Sequence, residues 1–170
     1  PQKDGSVRYI RLRIAFENQT QVGLLEDVTA MTEERLRIEH ERDYDMLTGL
    51  YNRKAFNRTC ESLFRAPSRL GHAALMMLDL DNLKTLNDVY GHDTGDRYIR
   101  ETGRTLHDAM NGHSVCSRLS GDEFMVLFYG YDSREQLRRD LNSLQSRLRR
   151  ASIVLPNGDS FAVSISGGVA

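Results

Sequence analysis

Two apolar stretches joined by a short acidic turn limit the folds open to this 170-residue chain more than any other segment. The turn, residues 120–123, contains Gly121, which permits the backbone conformations that a tight turn requires. The next five residues, 124–128, are all apolar, a pattern typical of a buried strand. The sequence therefore predicts a buried antiparallel hairpin with strands at residues 115–119 and 124–129.

A second apolar segment also ends in carboxylates. Residues 72–80 predict a buried strand, with Asp79 and Asp81 at its end. Carboxylates at the end of a buried strand cost desolvation free energy unless a cation or a proton-transfer role offsets that cost. Asp81 by itself could be a helix cap, but this explanation does not extend to Asp79. The two acidic strand ends together predict one divalent-metal site and phosphate chemistry.

The residues after the first acidic strand end predict a phosphate site. A helix is expected at residues 82–90, and its free backbone N–H groups would belong to Asn82, Leu83 and Lys84. Such a helix start binds phosphate. Asp79 beside it could hold Mg²⁺ against the same phosphates.

Asn87 and Asp96 lie on either side of a predicted turn between two helices and could together recognise a guanine base. The carboxylate would accept hydrogen bonds from guanine N1–H and N2–H₂, and the amide would meet the remaining edge. Each residue alone is more often a helix cap or a turn residue. His92 alone is likewise more often a structural histidine than a catalytic one.

Asp122 and Glu123 are adjacent, so on an extended backbone their side chains face opposite ways. We therefore expect different roles for them. If the hairpin lies beside Asp79, one carboxylate joins the metal and the other faces an attacking hydroxyl. Without Asp79, the pair would be an ordinary polar turn.

Composition excludes several classes of partner. The chain has 23 basic and 24 acidic residues, so its charge gives no reason to expect nucleic-acid binding. Its two cysteines, Cys60 and Cys116, have no histidines at metal-binding spacing and predict reduced thiols in a cytosolic protein. No apolar run has membrane-spanning length and no signal peptide is visible, so we expect no membrane contact from this segment.

From residue 45 onward the pattern predicts a compact α+β domain. Helices are expected at residues 52–65, 82–90, 93–110 and 133–150, and strands at 72–80, 115–119, 124–129 and 161–165. This order matches a ferredoxin-like antiparallel sheet with helices.

Residues 1–28 differ in character from the rest of the chain. Residues 8–16 and 21–28 predict two strands of a β-hairpin, with a turn at 18–20. Asp27 or Thr29 could then cap a highly charged helix that ends near residue 43. The charge pattern fits a connector or short coiled coil and, equally, a solvated surface helix.

Four segments, in order, resemble motifs of the GGDEF family of diguanylate cyclases. Residues 45–53 resemble the opening motif DxLTGLxNR, and residues 79–84 resemble the DxDxFK segment. Residues 87–96 match NDxxGHxxGD, and residues 120–124 occupy the position of the GGDEF signature itself. Four motifs at family spacing are far more specific than any one of them.

The resemblance implies a reaction, a fold and a set of roles. Two GTP molecules would condense to cyclic di-GMP with release of two pyrophosphates, on a palm similar to that of class III nucleotide cyclases. Each protomer would hold one GTP, so a homodimer would be needed. By position, Mg²⁺ (or Mn²⁺) would be bound by Asp79, the Leu80 carbonyl and Glu123. Asp122 would be the general base. The guanine would be bound by Asn87, Asp96 and the nearby His92.

The N-terminal hairpin resembles the closing strands of a PAS sensor domain, on the basis of Asp4, Gly5 and residues 27–29. The implied organisation is the end of a PAS-like domain at residues 1–28, a connector helix at 29–44 and a GGDEF domain at 45–170. Such a protein would act in the cytoplasm, either free or as the cytoplasmic part of a membrane-anchored protein.

The chain departs from the family at several positions. Ser120 replaces the first glycine of the signature, and because serine disfavours positive φ, activity could be reduced or lost. We expect the serine to be tolerated, because its side chain is small and both carboxylates remain. Leu83 replaces a phenylalanine, which predicts a mild packing change. Residues 111–114 lack the Arg and Asp of the product-inhibition motif RxxD, so this form of feedback is not expected. The family's next helix, which bears two phosphate-binding cations, follows the position of Ala170, so the segment alone should bind nucleotide less tightly.

These departures leave an alternative to the cyclase. The chain could be a catalytically inactive GGDEF module that binds GTP and regulates an attached domain. A pure dimerisation or relay module is disfavoured, because it would have no need for the acidic and amide side chains retained at Asp79, Asn87, Asp96, Asp122 and Glu123.

Overall fold

The computed structural model describes residues 7–17 and 20–170 of the chain. These residues fall into two units, divided between residues 41 and 42. Each unit has its own set of backbone contacts.

The first unit begins with a two-stranded antiparallel sheet. Strand β1 (Ile10–Glu17) pairs with strand β2 (Thr20–Asp27) over its full length. The predicted hairpin is therefore present, with strand bounds shifted by one or two residues; its turn lies partly outside the described residues. Ile10, Leu12 and Ile14 project from β1 and are all more than half exposed.

Helix α1 (Thr29–Asp43) follows the hairpin. The Asp27 carboxylate accepts a hydrogen bond from the backbone N–H of Thr29 at 3.0 Å, so Asp27 provides the predicted cap. The Thr29 hydroxyl instead accepts a hydrogen bond from the backbone N–H of Tyr9 at 2.9 Å. No residue of α1 is buried within this chain, which both interpretations of the charged helix require.

The second unit contains the rest of the secondary structure. In chain order its elements are β3 (Tyr51–Asn52), α2 (Arg53–Phe64), β4 (His72–Leu80), α3 (Leu83–Tyr90), α4 (His92–Ala109), β5 (Ser114–Ser120), β6 (Glu123–Tyr131), α5 (Arg134–Leu148), β7 (Ser152–Val154), β8 (Ser160–Ala162) and β9 (Ile165–Val169). In the described part of the chain, no helix is both long and apolar enough to cross a membrane.

A five-stranded sheet forms the centre of this unit, in the order β3-β5-β6-β4-β9. Only β3 runs parallel to its neighbour, and the other pairs are antiparallel. The mixed α+β class and the antiparallel hairpin predicted from the sequence are thus confirmed. The short strand β3 and the separate β7–β8 hairpin were not predicted.

Strand β6 lies at the middle of the sheet and is buried on both faces. Phe124, Val126 and Phe128 are fully buried in the main core, to which α4 and α5 contribute. Leu127 faces the opposite side, where it packs in a smaller cluster with Phe56 of α2. A strand covered on both faces must be apolar throughout, which explains the uninterrupted apolar run.

The predicted strand at residues 161–165 is wrong in one respect. The chain leaves β8 after Ala162, pairs with a different strand as β9, and changes direction at Val163 and Ser164. The backbone N–H of Val163 donates to the Ala151 carbonyl at 2.8 Å. The N–H of Ser164 donates to the Tyr98 hydroxyl at 2.9 Å. Both acceptors belong to distant parts of the chain. The alternation of apolar and polar residues at 161–165 therefore could not reveal that the strand is interrupted.

Candidate active site

The register of β4 and β6 places two acidic residues side by side. Asp79 pairs directly with Glu123 across the two strands. The Leu80 N–H also donates to the Asp122 carbonyl at 3.0 Å, which fixes the hairpin turn against the end of β4. Because directly paired residues project from the same face of a sheet, the carboxylates of Asp79 and Glu123 share one face.

This arrangement concentrates negative charge around Asp79. Partial loss of solvent, followed by repulsion from Asp122, Asp81 and Glu123, raises the pKa of Asp79 above its ordinary value. Within residues 7–17 and 20–170, no three His, Cys, Asp or Glu side chains are grouped as a metal site would require. The ligand set expected from the sequence does not need three, because it has two carboxylates and the carbonyl of Leu80.

Glu123 is held by two neighbours through the same oxygen. Its Oε2 accepts a hydrogen bond from the Ser120 hydroxyl at 2.7 Å. Nη2 of Arg53 lies 3.6 Å from the same atom. Neither contact was predicted, although Arg53 ends the opening motif and Ser120 was identified as a departure from the signature. The sequence signal was present, but the contact depends on how α2 and the hairpin pack.

Asp81 belongs to a different network. Its carboxylate accepts hydrogen bonds from the hydroxyls of Ser164 at 2.7 Å and Ser166 at 2.8 Å. These bonds, with Ser164 the larger contributor, hold the pKa of Asp81 below its ordinary value. The suggested role of Asp81 as a helix cap is therefore wrong: it attaches the start of β9 to the end of β4.

Helix α3 begins one residue later than predicted. Asn82 precedes it with a left-handed backbone (φ +64°) and makes no side-chain capping hydrogen bond. Leu83 and the exposed Lys84 are its first two residues. The predicted phosphate-binding helix start thus lies directly after the acidic end of β4, with its orphan N–H donors in the first turn.

Asn87 lies in the second turn of α3 against the start of α4. Its Oδ1 atom is buried and, among the described residues, has no hydrogen-bond partner. Gly95 makes this approach possible, because a Cβ atom there would lie 1.9 Å from that oxygen. Asp96 is next in sequence, half-exposed, and 3.5 Å from Arg100. His92 is exposed at the beginning of α4.

The opening motif is tied to the signature turn by an ion pair. Asp45 accepts hydrogen bonds from the backbone N–H and hydroxyl of Thr48, at 2.9 and 2.7 Å. Nη1 of Arg118 lies 3.3 Å from both carboxylate oxygens of Asp45. Nε of Arg118 donates to the Gly121 carbonyl at 3.0 Å. The two side chains of the pair are only 13% and 22% exposed, so Arg118 links two motifs in a largely buried position.

Comparison with known proteins places this geometry in a family. The family model described as diguanylate cyclase, GGDEF domain, matches residues 42–170. A relative from Bacillus subtilis (strain 168), the uncharacterized protein YhcK, is 37% identical over 129 residues. That match covers 75% of this chain and 36% of YhcK. The chain likewise spans only 16% of a relative from Mycobacterium bovis and 37% of one from Staphylococcus aureus, so it covers well under half the length of each of these proteins.

Solved structures agree with the family match. A sensory box/GGDEF family protein from Caulobacter crescentus CB15 is 32% identical, with a TM-score of 0.63, and the match covers 75% of this chain and 82% of that one. The GGDEF domain of DgcB from Caulobacter crescentus, in complex with c-di-GMP, is 26% identical, with a TM-score of 0.62 and 75% coverage of both chains. With its family model, relatives and fold in agreement, this chain belongs to the GGDEF domain family of diguanylate cyclases.

Proposed function

We propose that residues 42–170 form the catalytic domain of a diguanylate cyclase, which condenses two GTP molecules to cyclic di-GMP and two pyrophosphates. The observation that carries this proposal is the pairing of Asp79 with Glu123 directly before helix α3. This pairing sets two carboxylates beside a helix start, so a cation and a phosphate could be bound together.

The donor set fits Mg²⁺ or Mn²⁺. Asp79, Glu123 and the Leu80 carbonyl offer only oxygen atoms, which both hard cations prefer. A bound cation would neutralise phosphate charge and stabilise the charge that develops at the α-phosphate. The residues themselves bring two carboxylates to one sheet face, where their mutual repulsion favours a positive ion.

The substrate end of the site is proposed along helix α3. The first turn, with Asn82, Leu83 and Lys84, would face the triphosphate. Asn87 supports guanine binding, since its buried and unpartnered Oδ1 could accept a hydrogen bond from a base amine. Asp96 would accept the second set of base hydrogen bonds, with His92 near it.

Asp122 is proposed as the general base. It would accept the proton of a GTP 3′-hydroxyl as that oxygen attacks the α-phosphorus of a second GTP, and pyrophosphate would leave. Each domain holds one nucleotide, so two protomers would have to meet face to face. Asp122 lies in the turn whose backbone is hydrogen-bonded to Leu80. Its negative charge contributes to the raised pKa of Asp79, which supports a role close to the proposed cation.

Product formation tests the proposal directly. The full-length protein is incubated with GTP and Mg²⁺, and the products are separated by chromatography. We expect cyclic di-GMP and pyrophosphate from the native protein, and neither from Asp122→Asn. GTP binding without product would instead support the regulatory GTP-binding module, and no binding of GTP would contradict both.

The regulatory alternative has one specific observation in its favour. Ser120 occupies the place of the first glycine of the signature, and its side chain contacts the proposed metal ligand Glu123. Calorimetry with GTP would measure binding separately from turnover, so the two functions can be distinguished in one protein sample.

We also propose that the first unit transmits a signal to the catalytic domain. The hairpin β1–β2 would be the end of a PAS-like sensor, and α1 would be the connector. The catalytic domain would lie in the cytoplasm, where it would use GTP. The description "sensory box" of the Caulobacter crescentus relative supports this organisation. We expect that a longer version of the protein binds a small molecule upstream of residue 28. Binding of that molecule should change the rate of product formation.

A further inference from the structure

We propose that Ser120 is a positioning residue that makes Glu123 a one-oxygen ligand and thereby favours small octahedral cations over Ca²⁺. This inference rests on the proposed role of Glu123 as a metal ligand. It concerns a residue of this chain that replaces the first glycine of the signature. A glycine at this position would have no side chain with which to make the contact.

The contact is a short hydrogen bond within the signature turn. Ser120 and Glu123 pair across the end of β5 and β6, after a register irregularity that follows Arg118. The Ser120 hydroxyl donates to Glu123 Oε2 at 2.7 Å. Only two residues separate Ser120 from Glu123, so the geometry of the turn alone brings the two side chains together.

Backbone strain does not oppose the serine. In the described ranges, the non-glycine residue with positive φ is Asn82, and the turn's own positive φ is at Gly121 (+41°). Ser120 therefore lies in ordinary strand geometry and does not need the positive φ that serine disfavours. The side chain adds a donor without a conformational penalty.

The two oxygens of the Glu123 carboxylate are not equivalent. Oε2 accepts from Ser120 and has Nη2 of Arg53 at 3.6 Å. Among the described residues, Oε1 accepts no hydrogen bond and is the oxygen left for a cation. A carboxylate held through one oxygen can offer the other in a fixed direction but cannot easily chelate with both.

This asymmetry selects between cations. Ca²⁺ accepts six to eight ligands and often takes both oxygens of a carboxylate, whereas Mg²⁺ demands near-ideal octahedral geometry. Mn²⁺ shares the preference of Mg²⁺ for carboxylate and carbonyl oxygen. Loss of such a supporting hydrogen bond commonly lowers metal affinity by about 10–100-fold. Ser120 should thus raise Mn²⁺ affinity while leaving Ca²⁺ affinity little changed.

The test measures metal affinity apart from turnover. Free Mn²⁺ is followed by electron paramagnetic resonance in the full-length protein with the slowly reacting analogue GTPαS, and Ca²⁺ is added as a competitor. We expect Ser120→Ala and Ser120→Gly to weaken Mn²⁺ binding about tenfold and to lower the preference for Mn²⁺ over Ca²⁺. Ser120→Thr, which keeps the hydroxyl, should restore both values.

The outcomes separate this inference from the proposed function. If the native protein and the Ala, Gly and Thr variants bind Mn²⁺ equally and with the same Ca²⁺ competition, the role of Ser120 is overturned while the metal site remains. If the native protein binds no Mn²⁺ with GTPαS present, the metal site and the role of Ser120 both fail. Thermal unfolding of each variant shows that the domain is folded.

Discussion

At the scale of single residues, the absence of a side chain at Gly95 shapes the proposed base-binding end of the site. The buried amide oxygen of Asn87 occupies the volume that a Cβ atom would need. From the sequence, Asn87 and Asp96 were identified by their type and spacing, and Gly95 only as part of the NDxxGHxxGD motif. That Gly95, in the first turn of α4, lies against the Asn87 amide depends on how the two helices pack.

We predict that Gly95→Ala weakens GTP binding about tenfold, because overpacking of 1–3 kcal/mol would displace the Asn87 amide. Calorimetry of GTP and ATP binding would measure both the affinity and the base preference. Gly112→Ala is a suitable control, since a Cβ atom there meets nothing within 4 Å. Equal GTP affinity in Gly95→Ala and the native protein would remove Asn87 from the base site.

The ion pair between Asp45 and Arg118 gives a second prediction at this scale. Arg118→Met leaves the mostly buried Asp45 carboxylate without its cation and should lower the free energy of unfolding by about 1–3 kcal/mol. Urea unfolding would measure this change. Arg104→Met is the matched control: Arg104 is 64% exposed and pairs with Glu101 and Asp108, so its removal should change the free energy by less than about 1 kcal/mol. Equal effects of the two variants would contradict a structural role for Arg118.

At the scale of elements, the sequence predicted what depends on local pattern. Strand β4 was predicted with its observed bounds, and the β5–β6 hairpin was predicted within a few residues, because apolar runs and a turn glycine are local signals. Apart from the meeting of the two acidic strand ends, contacts between elements were not predicted. The hydrogen bonds from Ser164 and Ser166 to Asp81, and the approach of Arg53 to Glu123, join residues that are 70 to 85 positions apart in the sequence.

The end of helix α1 supplies a pH-dependent prediction. Asp43 accepts hydrogen bonds from Arg42 and from Arg58 of α2. These bonds, with Arg42 the larger contributor, lower the pKa of Asp43 from 3.8 to about 2. A lowered pKa in the folded state means that this stabilisation is present above pH 4 and is lost as the pH falls toward 2.

We therefore predict that Asp43→Asn lowers the midpoint of thermal unfolding at pH 6 but has little effect at pH 2. The native protein should lose stability between about pH 4 and pH 2 more steeply than the variant does. Calorimetric unfolding across this range provides the measurement. Parallel curves for the two proteins would show that Asp43 has no net role in stability.

At the scale of the whole molecule, the chain contains one proposed nucleotide site, and the proposed reaction joins two nucleotides. The second unit carries every proposed site residue, and the first unit carries none of them. A single copy would therefore bind substrate without completing the reaction, and the encounter of two copies would set the rate.

We predict that product formation depends on protein concentration more than linearly. Far below the dissociation constant of the dimer, doubling the protein should raise the rate about fourfold by mass action. GTP binding per chain, measured by calorimetry over the same concentrations, should stay constant. A rate strictly proportional to protein concentration would mean that two copies need not meet during turnover.

The direct pairing of Asp79 with Glu123 also limits how relatives of this protein can diverge. Side chains alternate between the faces of a strand, so one residue inserted into or deleted from the 120–123 turn would shift the register and carry Glu123 to the opposite face. Substitutions such as the serine at position 120 leave this register intact. Over evolutionary time, therefore, position 120 is freer to change than the length of the turn.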